Sequence, residues 1–195
     1  MRVSCGWAWG VALAVLAGAA HARVVEEQID VPVQVKNPWG KQIAQDIRVT
    51  VWSDDTNPRP APIALINHGR APDAQGRASL GRARYTDASR YLLRRGFVVA
   101  VPTRVGYGVS GGEDVEDTGA CNNRNYPPGF DAAAVQMLAA LNAVRQRPDV
   151  APDRVLVVGQ SFGGASTVAL AAMNPPGVVA AINFAGGSGG DPKGR

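Results

Sequence analysis

The chain has 195 residues, of which 46% are hydrophobic, and a formal net charge of +4 at pH 7. This length lies in the range of a single domain and is sufficient to bury a sizeable core. Seven arginines lie between Arg70 and Arg95, but they form no basic repeat and no regular alternation with aromatic residues, which argues against nucleic acid as a partner. We interpret this segment as a solvated helix and loop surface, with an anion-binding face as the alternative.

The first 22 residues have the pattern of an export signal. Arg2 supplies a positive charge, residues 4–20 carry none, and Ala20-His21-Ala22 matches the A-x-A cleavage pattern. The apolar stretch is short for a membrane span, which favours a cleaved signal, and an uncleaved N-terminal anchor is the alternative. We therefore expect cleavage after Ala22, a mature chain that begins at Arg23 without a membrane span, and a periplasmic or secreted location.

Export also sets the redox environment of the cysteines. Cys5 precedes the apolar stretch and is not placed as a lipid-anchor cysteine, so Cys121 is the single cysteine left after cleavage. An odd cysteine in an exported protein suggests a missing partner. We interpret Cys121 as half of a disulfide whose other half lies beyond Arg195, with a free structural thiol as the alternative.

The mature chain opens with strand patterns. Residues 24–35 and 43–52 alternate apolar and polar side chains, which predicts an antiparallel pair at the edge of a sheet. Residues 63–66 are fully apolar and predict a buried strand that runs into Asn67-His68-Gly69. Residues 85–95 then predict a helix with Ala88, Tyr91 and Leu92 on one face.

Strands and helices alternate in the rest of the chain. The patterns predict, in order, a strand at 97–101, a helix at 130–147, a strand at 154–158, a helix at 165–173 and a strand at 178–184, with loops at 105–112 and 126–129. Such alternation predicts an α/β fold with a mostly parallel sheet, right-handed crossovers and helices on both faces. No internal repeat or long linker divides residues 23–195, so we expect one domain after the signal segment.

The segment from Gly159 to Gly164 has the layout of a nucleophile elbow, because it lies between a predicted buried strand and a predicted helix. In such an elbow the serine backbone is strained, and strand and helix approach so closely that Cβ atoms two residues to either side would clash. Gly159 and Gly163 meet that requirement on both sides of Ser161. Ser161 is therefore a candidate nucleophile, and a glycine turn with an incidental serine is the alternative.

The motif G-x-S-x-G occurs three times, so its spacing alone decides nothing. Ser110 is followed by a polar, acidic stretch and Ser188 by Gly-Gly-Asp-Pro, so neither precedes a predicted helix. We interpret both as parts of flexible glycine loops.

These segments together resemble the α/β-hydrolase fold, and most closely exported bacterial proteins related to dienelactone hydrolase. The resemblance rests on four pieces that follow successive strands: His68-Gly69, Arg104 to Gly112, the elbow from Gly159 to Gly164, and Ala185 to Gly190. It extends from about Val24 to the end of the chain. It does not fix a substrate, because this fold supports many ester, amide and lactone hydrolases.

The resemblance implies a role for three residues. Ser161 would attack an acyl carbonyl and form an acyl-enzyme. The backbone N–H groups of Phe162 and Arg70 would stabilise the oxyanion. The resemblance further implies a small-molecule ester or lactone substrate and neither a metal nor another cofactor, and it leaves the oligomeric state open.

The acid and base of the triad depart from the family pattern, in which Asp or Glu and then His follow the serine. His21 lies in the signal segment, His68 precedes Ser161, and the acid that follows Ser161 is Asp191 in a Gly-Pro tail. We interpret His68 as a loop residue that shapes the turn before Gly69. We expect the triad acid and base to lie beyond residue 195, which predicts a C-terminally truncated hydrolase with little activity as this fragment. The alternatives are a non-catalytic hydrolase-like binding protein and a serine peptidase of the prolyl-oligopeptidase type.

Overall fold

The computed structural model describes residues 24–120 and 122–188. The predicted signal segment with its cleavage site, Cys121 and Asp191 lie outside the described residues. Within the described residues no helix is both long enough and apolar enough to span a membrane.

A six-stranded sheet forms the centre of the molecule. Its strands are β1 (Val24–Lys36), β2 (Gln42–Asp54), β3 (Ala61–Asn67), β4 (Val98–Thr103), β5 (Val150–Gln160) and β6 (Val178–Phe184). The spatial order is β1-β2-β4-β3-β5-β6. Strand β2 is antiparallel to β1 and β4, whereas β4, β3, β5 and β6 are mutually parallel. The predicted antiparallel pair at the edge and the predicted parallel sheet are both confirmed.

Four α-helices and one 3₁₀ helix connect the strands. They are α1 (Ala74–Ala78), α2 (Thr86–Leu93), the 3₁₀ helix (Gly108–Ser110), α3 (Pro127–Val144) and α4 (Phe162–Ala172). Because successive strand side chains point to opposite faces, the sheet supplies two apolar clusters. Helices α3 and α4 cover one cluster through residues such as Leu141 and Leu170, and α2 covers the other through Leu92 and Leu93. Helices therefore lie on both faces, as predicted.

Helix α3 begins and ends earlier than the sequence predicts. It starts at Pro127, inside the segment predicted to be a loop, and ends at Val144 rather than at Arg147. Two prolines fit its first turn because the N–H groups there have no acceptor within the helix. The two consecutive prolines therefore mark the start of helix α3, inside the segment predicted to be a loop.

Helix α2 packs on the sheet through a face that only partly matches the predicted one, with Leu92 buried as expected. Ser89, Leu92 and Leu93 are its buried residues, whereas Ala88 is exposed and Tyr91 is 49% exposed. The apolar periodicity of this short helix fits both faces, and packing against Trp52 and its neighbours selects the one that carries both leucines.

The arginine-rich segment is not simply a solvated surface. Arg70 and Arg77 form ion pairs with Asp114, and Arg82 and Arg84 form ion pairs with Glu26. The interpretation as a solvated face is wrong for Arg70, Arg77 and Arg82, whose side chains are largely covered, whereas Arg84 is exposed as expected. The acidic partners are distant in sequence and are not visible in the local composition.

Strand β6 lies at the edge of the sheet. Among the described residues no strand pairs with its outer side, and its side chains Val179, Ile182 and Phe184 are exposed. This strand is therefore much less covered than β3 or β4, whose side chains are almost all buried.

Candidate active site

Ser161 lies in the tight turn between β5 and α4. Its backbone has φ 55° and ψ −127°, a conformation that costs a non-glycine residue about 1–3 kcal/mol. The Ser161 N–H donates to the carbonyl of Phe184 in β6 at 2.8 Å, and its own carbonyl accepts from the N–H of Gly164 at 2.8 Å. Neighbouring backbone thus holds Ser161 in a strained conformation, and the residue is exposed to solvent.

The glycines on either side of Ser161 are required by close backbone contacts. A Cβ atom at Gly159 would overlap the carbonyl of Gly163, and one at Gly163 would overlap the carbonyl oxygens of Asn67 and His68. Backbone cannot move aside as readily as the end of a flexible side chain. The steric requirement inferred from the sequence is thus present at both positions.

The loop after β3 lies directly beside Ser161. The Asn67 side-chain amide donates to the carbonyl of Gly163 at 3.1 Å, and a Cβ atom at Gly69 would lie 3.5 Å from that of Ser161. The structure therefore brings together the third-strand loop and the elbow, the two segments expected to supply oxyanion donors.

The two proposed oxyanion donors have no competing acceptor within the described part of the chain. Phe162 is the first residue of α4, where a helical N–H lacks an intrahelical partner, and no described residue accepts its hydrogen. The N–H of Arg70 likewise donates to no described residue. Both groups are free to bind an external oxygen.

The Arg70 side chain fixes the loop from the other side. Its guanidinium donates twice to Asp114, at 2.8 and 2.5 Å, and lies 5.8 Å from the centroid of the Phe162 ring. Burial alone would raise the pKa of Asp114, but hydrogen bonds and charge from Arg70, together with the charge of Arg77, hold that pKa below its ordinary value. Asp114 is therefore a carboxylate that anchors the loop.

His68 is buried and is not positioned to accept a proton from Ser161. Its Nε2 accepts the backbone N–H of Arg104 at 3.2 Å, so Nδ1 carries the ring hydrogen and donates it to the Gly69 carbonyl at 2.7 Å. Burial and the charge of Arg104 lower the pKa of His68 well below its ordinary value. These contacts agree with the interpretation of His68 as a residue that shapes the turn before Gly69.

A buried polar cluster lies behind this loop. The Arg104 guanidinium, which is fully buried, pairs with Glu116 through two hydrogen bonds and also donates to the Asn67 side chain and to the His68 carbonyl. The hydroxyl of Tyr107 donates to Glu116 at 3.0 Å. Arg104 begins the segment from Arg104 to Gly112 that carries part of the family resemblance, but the sequence pattern predicts no function for it. An arginine that directly follows an apolar strand and precedes an acidic loop was the available signal.

Ser110, the second motif serine, is not at a strand–helix turn. Ser110 belongs to the 3₁₀ helix, where its Oγ donates to the Thr103 carbonyl at 2.6 Å and accepts the N–H of Arg48 at 2.9 Å. The interpretation of this loop as flexible is wrong, because its serine joins two strands. Ser188, the third, follows β6, and the residues after it lie outside the described part of the chain.

An apolar cleft of about 350 Å³ lies next to the elbow on the sheet face that α2 partly covers. Ser161 does not line it. Its lining residues are Ile66, Tyr85, Ala88, Val158, Gly159, Gln160, Phe184 and Ala185.

Solved structures similar to this chain share its fold. An α/β hydrolase, GrgF from Penicillium sp. sh18, is 18% identical with a TM-score of 0.54, over 80% of this chain and 44% of that protein. A protein named m3DLH is 17% identical with a TM-score of 0.55, over 84% of this chain and 60% of its own. A prolyl endopeptidase structure is 19% identical with a TM-score of 0.53, over 81% of this chain and 20% of that protein.

The first two relatives show that this chain spans about half of the length of the similar proteins. At these identities the similarity establishes the fold alone. No curated protein matches the sequence significantly. The model of the dienelactone hydrolase family matches residues 72–193, which is more than half of the chain. The chain therefore belongs to the dienelactone hydrolase family and has the α/β-hydrolase fold.

Proposed function

We propose that the chain is a serine hydrolase of the dienelactone hydrolase and carboxylesterase type, which cleaves ester or lactone bonds with Ser161 as the nucleophile. The observation that carries the proposal is the conformation of Ser161, which is strained at φ 55°, exposed, and held between β5 and α4. Strain of this kind at an exposed serine is typical of an active site.

The proposed reaction proceeds in two steps. Ser161 Oγ loses its proton to a base and attacks the acyl carbonyl, the C–O bond to the leaving alcohol breaks, and water later hydrolyses the acyl-enzyme. The N–H groups of Phe162 and Arg70 would bind the oxyanion, and the N-terminus of α4 adds a partial positive charge. Removal of one such donor typically costs about 2.7–4 kcal/mol of barrier.

We propose that neither histidine of this sequence is the base. The 195 residues contain His21, in the predicted signal segment, and His68, whose two ring nitrogens are both hydrogen-bonded in a buried site. An unassisted serine hydroxyl is a weak nucleophile at neutral pH. We therefore expect little turnover from the 195-residue chain alone, and we propose that a base from outside these residues completes the site.

Ester hydrolysis tests the proposal. Small activated esters and lactones are given to the 195-residue chain and to the product of the complete reading frame that contains it. Ser161→Ala should abolish the turnover of the active protein and leave its unfolding midpoint unchanged. Ser110→Ala is the matched control, because Ser110 occupies the same motif without the strand–helix turn.

Three results would contradict the proposal. Full activity of Ser161→Ala would mean that the nucleophile lies elsewhere. Ser161-dependent turnover by the 195-residue chain would mean that His68 or another group in it acts as the base. Saturable binding of esters without turnover by the complete product would favour the non-catalytic binding protein.

A further inference from the structure

Two successive carbonyl groups of the loop after β3 point into the protein. The His68 carbonyl accepts from the Arg104 guanidinium at 2.7 Å. The Gly69 carbonyl accepts from His68 Nδ1 at 2.7 Å and from the same guanidinium at 3.4 Å. The buried cluster therefore holds both peptide units of this loop by their oxygens.

The direction of a peptide oxygen fixes the direction of the following N–H. In a planar trans peptide the C=O and N–H groups point to opposite sides. The His68–Gly69 unit shows this directly, because its oxygen accepts from Arg104 while the Gly69 N–H points the other way and meets the Tyr85 hydroxyl at 3.3 Å. That hydroxyl also donates to the side chain of Gln160, the residue before Ser161, at 3.3 Å.

The same rule orients the Arg70 amide. The oxygen of the Gly69–Arg70 unit is held by His68 and Arg104, so the Arg70 N–H points away from the buried cluster. Gly69 itself faces Ser161, with only 3.5 Å between a Cβ built on it and the Ser161 Cβ. The Arg70 N–H thus points away from the buried cluster, and it has no acceptor among the described residues.

We propose that His68 and Arg104 are positioning residues that turn the Gly69–Arg70 peptide so that the Arg70 N–H is aimed at the oxyanion. The inference rests on the proposed function, because it takes the oxyanion to form at Ser161. Neither side chain touches the substrate. His68 acts through one ring hydrogen, and the backbone N–H of Arg104 selects that tautomer by occupying Nε2.

A pair of substitutions at His68 separates this function from bulk stability. The amide nitrogen of asparagine is one carbon from Cβ, as Nδ1 is, so His68→Asn keeps a donor for the Gly69 carbonyl. The amide nitrogen of glutamine is two carbons from Cβ, as Nε2 is, so His68→Gln fills the site but leaves that carbonyl without the ring donor. Both variants are neutral and of similar polarity, which makes each the control for the other.

The assay is ester hydrolysis by the product of the complete reading frame. His68→Asn should retain kcat within about threefold of the wild type. His68→Gln should lose about 10- to 100-fold in kcat with KM unchanged, less than the 10²–10³-fold for complete removal of an oxyanion donor. The pH profile should keep its shape in both variants, because burial and the charge of Arg104 hold the pKa of His68 well below its ordinary value. The proposal would be overturned if His68→Gln had the same kcat as the wild type. It would also be overturned if His68→Asn and His68→Gln both folded and lost the same factor in kcat.

Nuclear magnetic resonance provides a readout that does not need turnover. The ¹⁵N signals of the His68 ring should show Nδ1 protonated and Nε2 unprotonated throughout the neutral range, and the opposite tautomer would overturn the proposal even if neither variant folds. Absence of Ser161-dependent turnover in the wild type would refute the proposed function by itself. The positioning would then be judged from the Arg70 amide. Its hydrogen should exchange rapidly with solvent in the wild type and in His68→Asn, and its ¹⁵N chemical shift should change in His68→Gln. An unchanged ¹⁵N shift in His68→Gln would refute the positioning.

Discussion

Gly163→Ala tests how tightly the elbow is packed against the loop after β3. The new Cβ would overlap two backbone carbonyl oxygens, those of Asn67 and His68, and both residues are buried. Overpacking of a core typically costs about 1–3 kcal/mol of unfolding free energy, and backbone neighbours place this site at the upper end. For a chain of this size, about 3 kcal/mol corresponds to a fall in Tm of roughly 6–12 °C.

Urea unfolding followed by tryptophan fluorescence measures the loss. Gly187→Ala is the matched control, because Gly187 lies close in sequence to the end of β6, has no neighbour within 4 Å of an added Cβ, and does not have a positive φ. In the product of the complete reading frame, Gly163→Ala should also hydrolyse esters more slowly than Gly187→Ala. The reason is that relief of the overlap moves the His68–Gly69 backbone away from Ser161. Equal stability and equal activity of Gly163→Ala and Gly187→Ala would refute the steric argument.

Three further predictions follow from charge and export. Glu116→Gln should lower the unfolding free energy by about 3–5 kcal/mol, because it leaves the Arg104 guanidinium buried without its counter-charge. Urea unfolding measures this loss, with Glu113→Gln as control because Glu113 is partly exposed. Equal urea midpoints for Glu116→Gln and Glu113→Gln would contradict the prediction. Because Asp114 has a lowered pKa, its contribution to stability is fully present above the unfolded pKa of about 3.9 and is lost as the pH falls through the folded pKa. Asp114→Asn should therefore lose less unfolding free energy than the wild type between pH 7 and pH 3. The same loss in both proteins would contradict the prediction. Mass spectrometry of protein from the native host should find Arg23 at the N-terminus of the exported chain, whereas intact residues 1–22 on cytoplasmic protein would contradict export.

The parts of the fold that the sequence predicted are those with a strong local pattern. Six strands appear where apolar runs or alternation predicted them, and β6 has the predicted bounds 178–184. The elbow was recognisable because strand, glycine-flanked serine and helix are contiguous. Helix α1 was missed, since its five residues have no buried side chain and leave no periodic pattern.

The errors concern contacts between residues distant in sequence. Tyr91 was placed on the packing face of α2 because it is apolar, but the face was decided by β-strand neighbours. The cluster of Arg104, Glu116 and His68 joins two loops that follow different strands, and no spacing in the sequence reveals which oxygen each donor meets. The site behind Ser161 therefore depends on information that only the three-dimensional structure contains.

The hydrogen bond from the Ser161 N–H to the Phe184 carbonyl connects the proposed nucleophile to β6, the least covered strand among the described residues. Edge segments with few buried side chains open at lower free energy than the core, often without global unfolding. Fraying of β6 would release the acceptor that helps to hold Ser161 at φ 55°, and the serine could then relax to an ordinary backbone conformation. On heating the 195-residue chain, the Ser161 amide should accordingly lose its protection against hydrogen exchange before the tryptophan signal reports unfolding, so that the elbow geometry is lost before the sheet.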